Sequence, residues 1–234
     1  MLYAVVRSVA LLAIRAVLAW SGGLRVTGVE RVPARGGVIV APNHLSHADP
    51  GVIGLALPRR AWFMATSELF EVRGLAWLAR LLRAFPVRQD EPDRAALRRT
   101  EALLRGGEAV VVFPEGHESV TGRMQSVQGG LVLLAIRTGT PVVPVAIEHT
   151  ETLMPPRTFR LRRIGRPVTV HFGKPIAATE LAGGLRGREA VRHGTGVLQA
   201  AIEGLLDPRY RSGGPADARP GPPPPHREGA CPRV

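Results

Sequence analysis

Val38-Ile39-Val40-Ala41-Pro42-Asn43-His44-Leu45-Ser46-His47-Ala48-Asp49-Pro50 carries the chain from one kind of structure into another. Residues 38–41 are continuously apolar, the pattern of a strand covered on both faces. Pro42 ends the run, and Pro42 and Pro50 bracket a polar segment whose backbone they restrict. Polar residues just past the carboxyl end of a strand in an α/β sheet lie where ligands bind. The same alternation recurs on either side. Strands are expected at Leu24–Val29, Val38–Ala41, Ala61–Ala65, Phe85–Val87, Ala109–Phe113, Val142–Ile147 and Val168–Phe172. Pro92, among Asp90, Glu91 and Asp93, marks a helix start, Gly106-Gly107 its stop, and Leu97, Leu103 and Leu104 its apolar side. A second helix is expected from Ser126 to Thr138, with Val127, Leu131, Leu134 and Ala135 on one face and Gly139 as its cap. A third, from Ala190 to Leu206, closes the core. This order predicts an α/β fold: a single domain with a mostly parallel central sheet flanked by helices, preceded by an N-terminal apolar helix.

Composition narrows the function. The chain has 234 residues, 31 basic against 19 acidic, a net charge of +12, and a pI near 11.5. An apolar fraction of 45% supports a real core and excludes global disorder. The one cysteine, Cys231, excludes a disulfide scaffold and cysteine-ligated zinc. The charge calls for an anionic partner: nucleic acid, a membrane surface or a phosphorylated substrate. Nucleic acid is disfavoured, because the arginines are scattered, aromatics are 5%, and no helix-turn-helix, zinc-finger or RNA-binding signature occurs.

The ends differ from the middle. Leu2–Trp20 is almost wholly apolar, with Arg7 and Arg15 about 80° apart on a helix at 100° per residue. Arginine near the centre of a membrane span costs about 2.5–3.5 kcal/mol on insertion scales. A secretory signal carries its charge ahead of the apolar run. A helix lying in the membrane interface accommodates both arginines and is the expected arrangement; a buried core helix is the alternative. From Ser212 the chain turns proline- and glycine-rich, as a disordered tail does. The expected organisation is therefore a membrane-associating helix over 1–22, the folded α/β domain over 23–211 and a tail over 212–234.

Two polar breaks carry the chemistry. In the first, His44 and Asp49 stand five residues apart, so a turn and a first helical turn can fold the carboxylate onto the imidazole. Asp49 would fix the tautomer and stabilise the imidazolium formed when His44 takes a proton, which makes a general base without a nucleophilic Ser or Cys. Two other readings are open: a helix start capped by Asp49 with solvated histidines, and a metal site of His44, His47 and Asp49, for which no fourth ligand is evident. The second break, Phe113-Pro114-Glu115-Gly116-His117-Glu118-Ser119, follows strand 109–113 in the same way. Its tight turn can present backbone amides to an anion or a carbonyl oxygen. In a parallel sheet both breaks face the same edge.

Taken in order, Asn43-His44 with Asp49, then Phe113-Pro114-Glu115-Gly116, then Val143-Pro144-Val145-Ala146-Ile147 closely resemble the blocks of the 1-acylglycerol-3-phosphate acyltransferase family. Phe63-Met64-Ala65 with Glu68-Leu69-Phe70 is similar to that family's spacer. The resemblance runs from about Val38 to Phe172. It implies that His44 deprotonates an acceptor hydroxyl, which attacks the thioester of acyl-CoA or acyl carrier protein, with Asp49 holding His44. It implies that Glu115 and Gly116 help bind the acceptor, with no metal, no cofactor and no covalent acyl-enzyme; Asn43 and His117 are further candidate substrate-binding residues, and Arg88 and Arg123 are the candidate replacements for basic positions the family carries and this chain lacks. The implied partners are a lysophospholipid, the acyl donor and the cytoplasmic face of a membrane. A lipid-binding homologue of impaired activity and a thioester or ester hydrolase are the alternatives.

The chain departs from the family at charged positions. The Thr-Arg of the third block is His117-Glu118. The glycine before Ala84-Phe85-Pro86-Val87 is Arg83. The arginine after it is Gln89, with Arg88 one place early, and the later lysine is Gln128. A carboxylate at Glu118 points to an acceptor with less phosphate charge than lysophosphatidate.

Overall fold

The computed structural model describes residues 2–71, 76–77, 79–80, 82–88, 93–156 and 158–212. Expectations for Gln89, Pro92 and the tail beyond Ser212 lie outside the described residues.

All seven expected strands are present. In chain order the elements are α1 (Leu2–Ser21), β1 (Leu24–Thr27), β2 (Val38–Pro42), α2 (Asp49–Ala56), β3 (Ala61–Thr66), β4 (Ala84–Val87), α3 (Arg94–Arg105), β5 (Ala109–Val111), α4 (Gly129–Thr138), β6 (Val142–Glu148), α5 (Thr150–Leu153), β7 (Val168–Phe172), α6 (Ala178–Ala182) and α7 (Gly187–Glu203). They build one seven-stranded sheet ordered β1-β7-β6-β2-β5-β3-β4. Among the described pairings between strands only β6 with β7 is antiparallel, beside an isolated antiparallel bridge of Val142 with Ile176; β2, for example, runs parallel to both β5 and β6.

The strands read as unbroken apolar runs because the sheet is covered on both faces. Along β2, Ile39 and Ala41 enter one core layer with Leu104 of α3, Leu131 and Leu134 of α4, and Leu198 and Ile202 of α7. Val38 and Val40 enter the other with Leu18 of α1 and Val52 and Ile53 of α2. All five residues of β2 are buried.

Helix bounds moved where polar side chains had other partners. Helix α3 starts one residue after Asp93, whose carboxylate accepts from Ala95 N and Ala96 N, a good N-cap. The helix expected from Ser126 starts at Gly129 instead. Residues 126–128 are pulled off its axis: Gln128 N–H donates to Pro114 O, and Val127 N–H to Gln199 Oε1. The closing helix spans Gly187–Glu203 and so stops three residues short of the expected Leu206. Strand β5 stops at Val111, which leaves Phe113 in the loop beyond it.

Two backbone positions show the cost of the packing. A Cβ added at Gly194 would stand 2.6 Å from Val132 Cγ1 and 2.7 Å from Leu181 O. Helix α7 thus lies against α4 and α6 at hydrogen-only separation. Gly194→Ala is expected to destabilise the fold by about 1–3 kcal/mol, read as a lower Tm; an unchanged Tm would show that α7 can lift away freely. Arg83 has φ 63°, a left-handed conformation that costs a residue bearing a Cβ about 1–2 kcal/mol. The resemblance drawn from the sequence places a glycine at the position of Arg83. Its guanidinium reaches Glu108 at 3.4 Å and covers the Trp62 ring at 5.1 Å.

Helix α1 packs through Leu18 and Ile14, the latter 3.1 Å from the Cβ position of Gly51. Arg7 lines a small cavity of about 190 Å³ between α1, α2 and β3, whereas Arg15 is exposed. The two arginines therefore flank the edge of the packed face. Val5, Val9, Leu12 and Trp20 remain exposed. Among the described residues no helix is long and apolar enough to cross a membrane.

Candidate active site

Strands β2 and β5 are adjacent and parallel, so the segments after their carboxyl ends meet as expected. The loop after β2 is fixed first by Asn43, which is fully buried. Its side-chain amide donates to Ile147 O at 3.0 Å, and its Oδ1 accepts from Ile147 N at 2.7 Å. Asn43 thus fastens the loop to β6 and does not enter the cavity wall.

The chain then turns through Ser46, whose carbonyl accepts from Asp49 N, and Pro50 opens α2. That turn brings Asp49 back onto the loop. Asp49 Oδ2 accepts from His44 Nδ1 at 2.9 Å, Leu45 N at 2.6 Å and Ser46 N at 2.8 Å. The carboxylate is fully buried, while 16% of the His44 side chain is exposed. With Nδ1 bonded to Asp49, the imidazole has Nε2 left for a substrate in the cavity that His44 lines. The Phe113 ring stacks on the imidazole, centroids 4.1 Å apart. Burial opposes protonation of His44. The hydrogen bond to Asp49 and the charges of Asp49, Glu118 and Glu115 outweigh it and raise the pKa above the ordinary 6.5.

Glu115 is a clamp inside the wall. Its Oε1 accepts from His44 N and its Oε2 from Gln125 N, both at 2.7 Å. It is 3% exposed, and burial pushes its pKa up to about 8 against those two N–H bonds. The turn closes with Gly116 N–H donating to Phe113 O, so that amide does not face the cavity as expected. Gly116 has φ 80°, a conformation open to glycine at little cost.

The cavity has a volume of about 860 Å³, within the range of small-molecule sites. His44, His47, Gly116, His117, Glu118 and Arg88 stand in its wall; its apolar side is built from Met64, Leu69, Leu97, Leu131 and Leu134. The structure therefore brings His44, Arg88, Gly116 and His117 to one cavity, with Asp49 and Glu115 directly behind. Asn43 and Arg123 stand outside the wall; Arg123 is exposed, and its N–H donates to Ser119 Oγ. His47 does not join His44 and Asp49: its Nδ1 meets Glu118 Oε1. Among the described residues no group of three or more His, Cys, Asp or Glu is placed to hold a metal. Two features escaped the sequence reading: the His47–Glu118 pair, and Phe159, whose ring stacks on His47 at 5.0 Å from more than a hundred residues away.

Residues 23–148 match the acyltransferase family. The chain belongs to that family. One relative, the 1-acyl-sn-glycerol-3-phosphate acyltransferase of Bacillus subtilis, is 30% identical over 137 residues, 58% of this chain and 68% of its own length. A chloroplastic enzyme of the same name from Arabidopsis thaliana is 28% identical over 156 residues, 65% of this chain but 43% of its own length. The chain therefore spans less than half of that plant relative. Among solved structures, the 1-acyl-sn-glycerophosphate acyltransferase PlsC of Thermotoga maritima superposes with a TM-score of 0.66 at 27% identity, covering 83% of this chain and 79% of that one. The relatives' names denote an O-acyltransferase activity, and the acyltransferase fold is the single α/β domain described above.

Proposed function

We propose that this acyltransferase moves an acyl group from the thioester of acyl-CoA or acyl carrier protein to a hydroxyl of a lysophospholipid. The observation that carries the reading is the His44–Asp49 hydrogen bond at the wall of a largely apolar cavity. His44 Nε2 takes the acceptor's hydroxyl proton as the oxygen attacks the thioester carbonyl. A tetrahedral intermediate forms. Its collapse breaks the C–S bond, and the leaving sulfur takes the proton back from His44, giving ester and free thiol. Asp49 holds the imidazole and stabilises its protonated form, and no metal or cofactor is invoked. A thioester is already activated, so a base and close placement of the reactants suffice. The apolar wall suits the acyl chain. An exposed apolar face on α1 suits a peripheral enzyme on the cytoplasmic surface of a membrane.

Glu118 sets the acceptor. It stands in the cavity wall, paired with His47, where the family carries arginine. A carboxylate there disfavours a phosphate dianion, so the acceptor carries a zwitterionic, sugar or uncharged head. The test is a panel of lysolipids with labelled acyl-CoA and acyl carrier protein, and one arm without acceptor. Transfer to lysolipid supports the reading; thioester loss to water alone, at the same rate with or without acceptor, would make the chain a hydrolase. Glu118→Arg is expected to raise kcat/KM for lysophosphatidate, relative to the preferred neutral-head acceptor, by about tenfold. Taking the ratio of two acceptors cancels any change at His44. A ratio that does not move removes Glu118 from acceptor choice.

A further inference from the structure

Between α5 and β7 the chain reads Phe159-Arg160-Leu161-Arg162-Arg163, and all five residues are exposed. Phe159 is 76% exposed and Leu161 43%. A large aromatic side chain left this open beside arginines has the composition of a membrane-interface contact, with apolar groups for the acyl boundary and guanidiniums for headgroups. No acidic residue occurs between Pro155 and Thr169, so the segment's own charge is entirely positive.

The segment is also held in place. Arg162 N–H donates to Leu153 O, and Ile164 N–H and Gly165 N–H both donate to Ser21 O, the last residue of α1. These bonds join it to the helix whose exposed side carries Leu12 and Trp20. On its other flank, Phe159 stacks on His47 and stands in the cavity wall. The segment thus links the exposed apolar helix to the mouth of the catalytic cavity.

We propose that Phe159–Arg163 is a second membrane contact, distinct from α1, that docks on an anionic lipid bilayer and sets the cavity mouth against it. This rests on the reading of the acceptor as a lipid. Each basic residue adds attraction near an anionic leaflet, and salt screens that attraction within a Debye length.

The test is sedimentation of the full chain with vesicles of phosphatidylcholine alone or with phosphatidylglycerol mixed in. Two variants accompany the wild type: Arg160→Gln/Arg162→Gln/Arg163→Gln, and Phe159→Ala/Leu161→Ala. The side chains are exposed, so the melting temperature is expected to hold in both. Wild type is expected to prefer the anionic vesicles. The arginine variant is expected to lose about tenfold or more of that partitioning and to respond less steeply to added salt. The apolar variant is expected to lose partitioning on both vesicle types. If wild type binds neither vesicle, the lipid-surface reading itself fails. If wild type binds the anionic vesicles and both variants bind equally well, α1 alone carries the contact; the proposal falls while the lipid-surface reading stands.

Discussion

His44→Ala is expected to lower kcat by about 10²- to 10⁴-fold, the range for losing a positioned general base. Among the described residues the imidazole has one side-chain hydrogen bond, to Asp49, and one stacked neighbour, Phe113. The backbone of His44 is held independently, through its N–H by Glu115 and through its carbonyl by Ser119 N at 2.8 Å. Truncating the side chain therefore removes the base and leaves the loop in place. Release of free thiol from acyl-CoA, followed with and without lysolipid, reads the rate; circular dichroism and Tm read the fold. A variant with an unchanged fold that keeps activity within a few-fold of wild type would end the proposed mechanism. Residual transfer is expected because the cavity still holds both reactants together.

The second large effect is expected from Asp49→Asn, and it separates catalysis from capping. An asparagine can keep its oxygen where Oδ2 accepts from His44, Leu45 and Ser46. Its amide nitrogen then falls at Oδ1, which is buried and has no hydrogen-bond partner among the described residues. The turn should survive, but the charge is gone. In the wild type the pKa of His44 is raised. The neutral base is therefore lost as pH falls through a value above 6.5, and activity falls with it. Removing the charge takes away the hydrogen bond to a carboxylate and the nearest attraction, while burial, which lowers the pKa, remains. The acid limb of the kcat/KM profile is expected to move to lower pH, with the plateau reduced by about 10²-fold or more because a weaker base remains. A profile with an unmoved limb and a plateau near wild type would make Asp49 only the start of α2.

The sequence made the sheet easy to read, for a physical reason. Strands buried on both faces cannot hide their apolar runs, and all seven stood out. Helix ends were harder. Ser126–Gln128 continue a helical pattern, yet Pro114 O takes the Gln128 N–H and Gln199 Oε1 the Val127 N–H, and neither partner is adjacent in sequence. The same distinction runs through the site. His44 and Asp49 are five residues apart, so local turn geometry reveals them. Glu115 is marked by its motif, but whether its carboxylate looks into the cavity or back at the His44 backbone depends on the loop that returns at Gln125. The His47–Glu118 pair and the Phe159 stack join segments far apart in the chain, and no local pattern announces them. Arg83 shows the reverse case. The departure from glycine was legible, and the structure adds that the arginine occupies the conformation glycine would hold at least cost.

Asn43 and Glu115 make the His44 loop a late product of synthesis. The His44 backbone waits for a carboxylate 71 residues downstream, and the Asn43 amide for a strand 104 residues downstream. Strand β2 has no neighbour in the sheet until β5 and then β6 have followed it. While the chain is still growing, the apolar run Val38–Ala41 has an open edge on both sides, the condition in which strands find wrong partners. Pairings this distant also fold slowly, because loop closure must precede any reward. A nascent chain halted before Ile147 would carry both His44 and Asp49 and still lack the strand that fixes their loop. Substitutions in β6 are therefore expected to show first as lost yield rather than as altered kinetics.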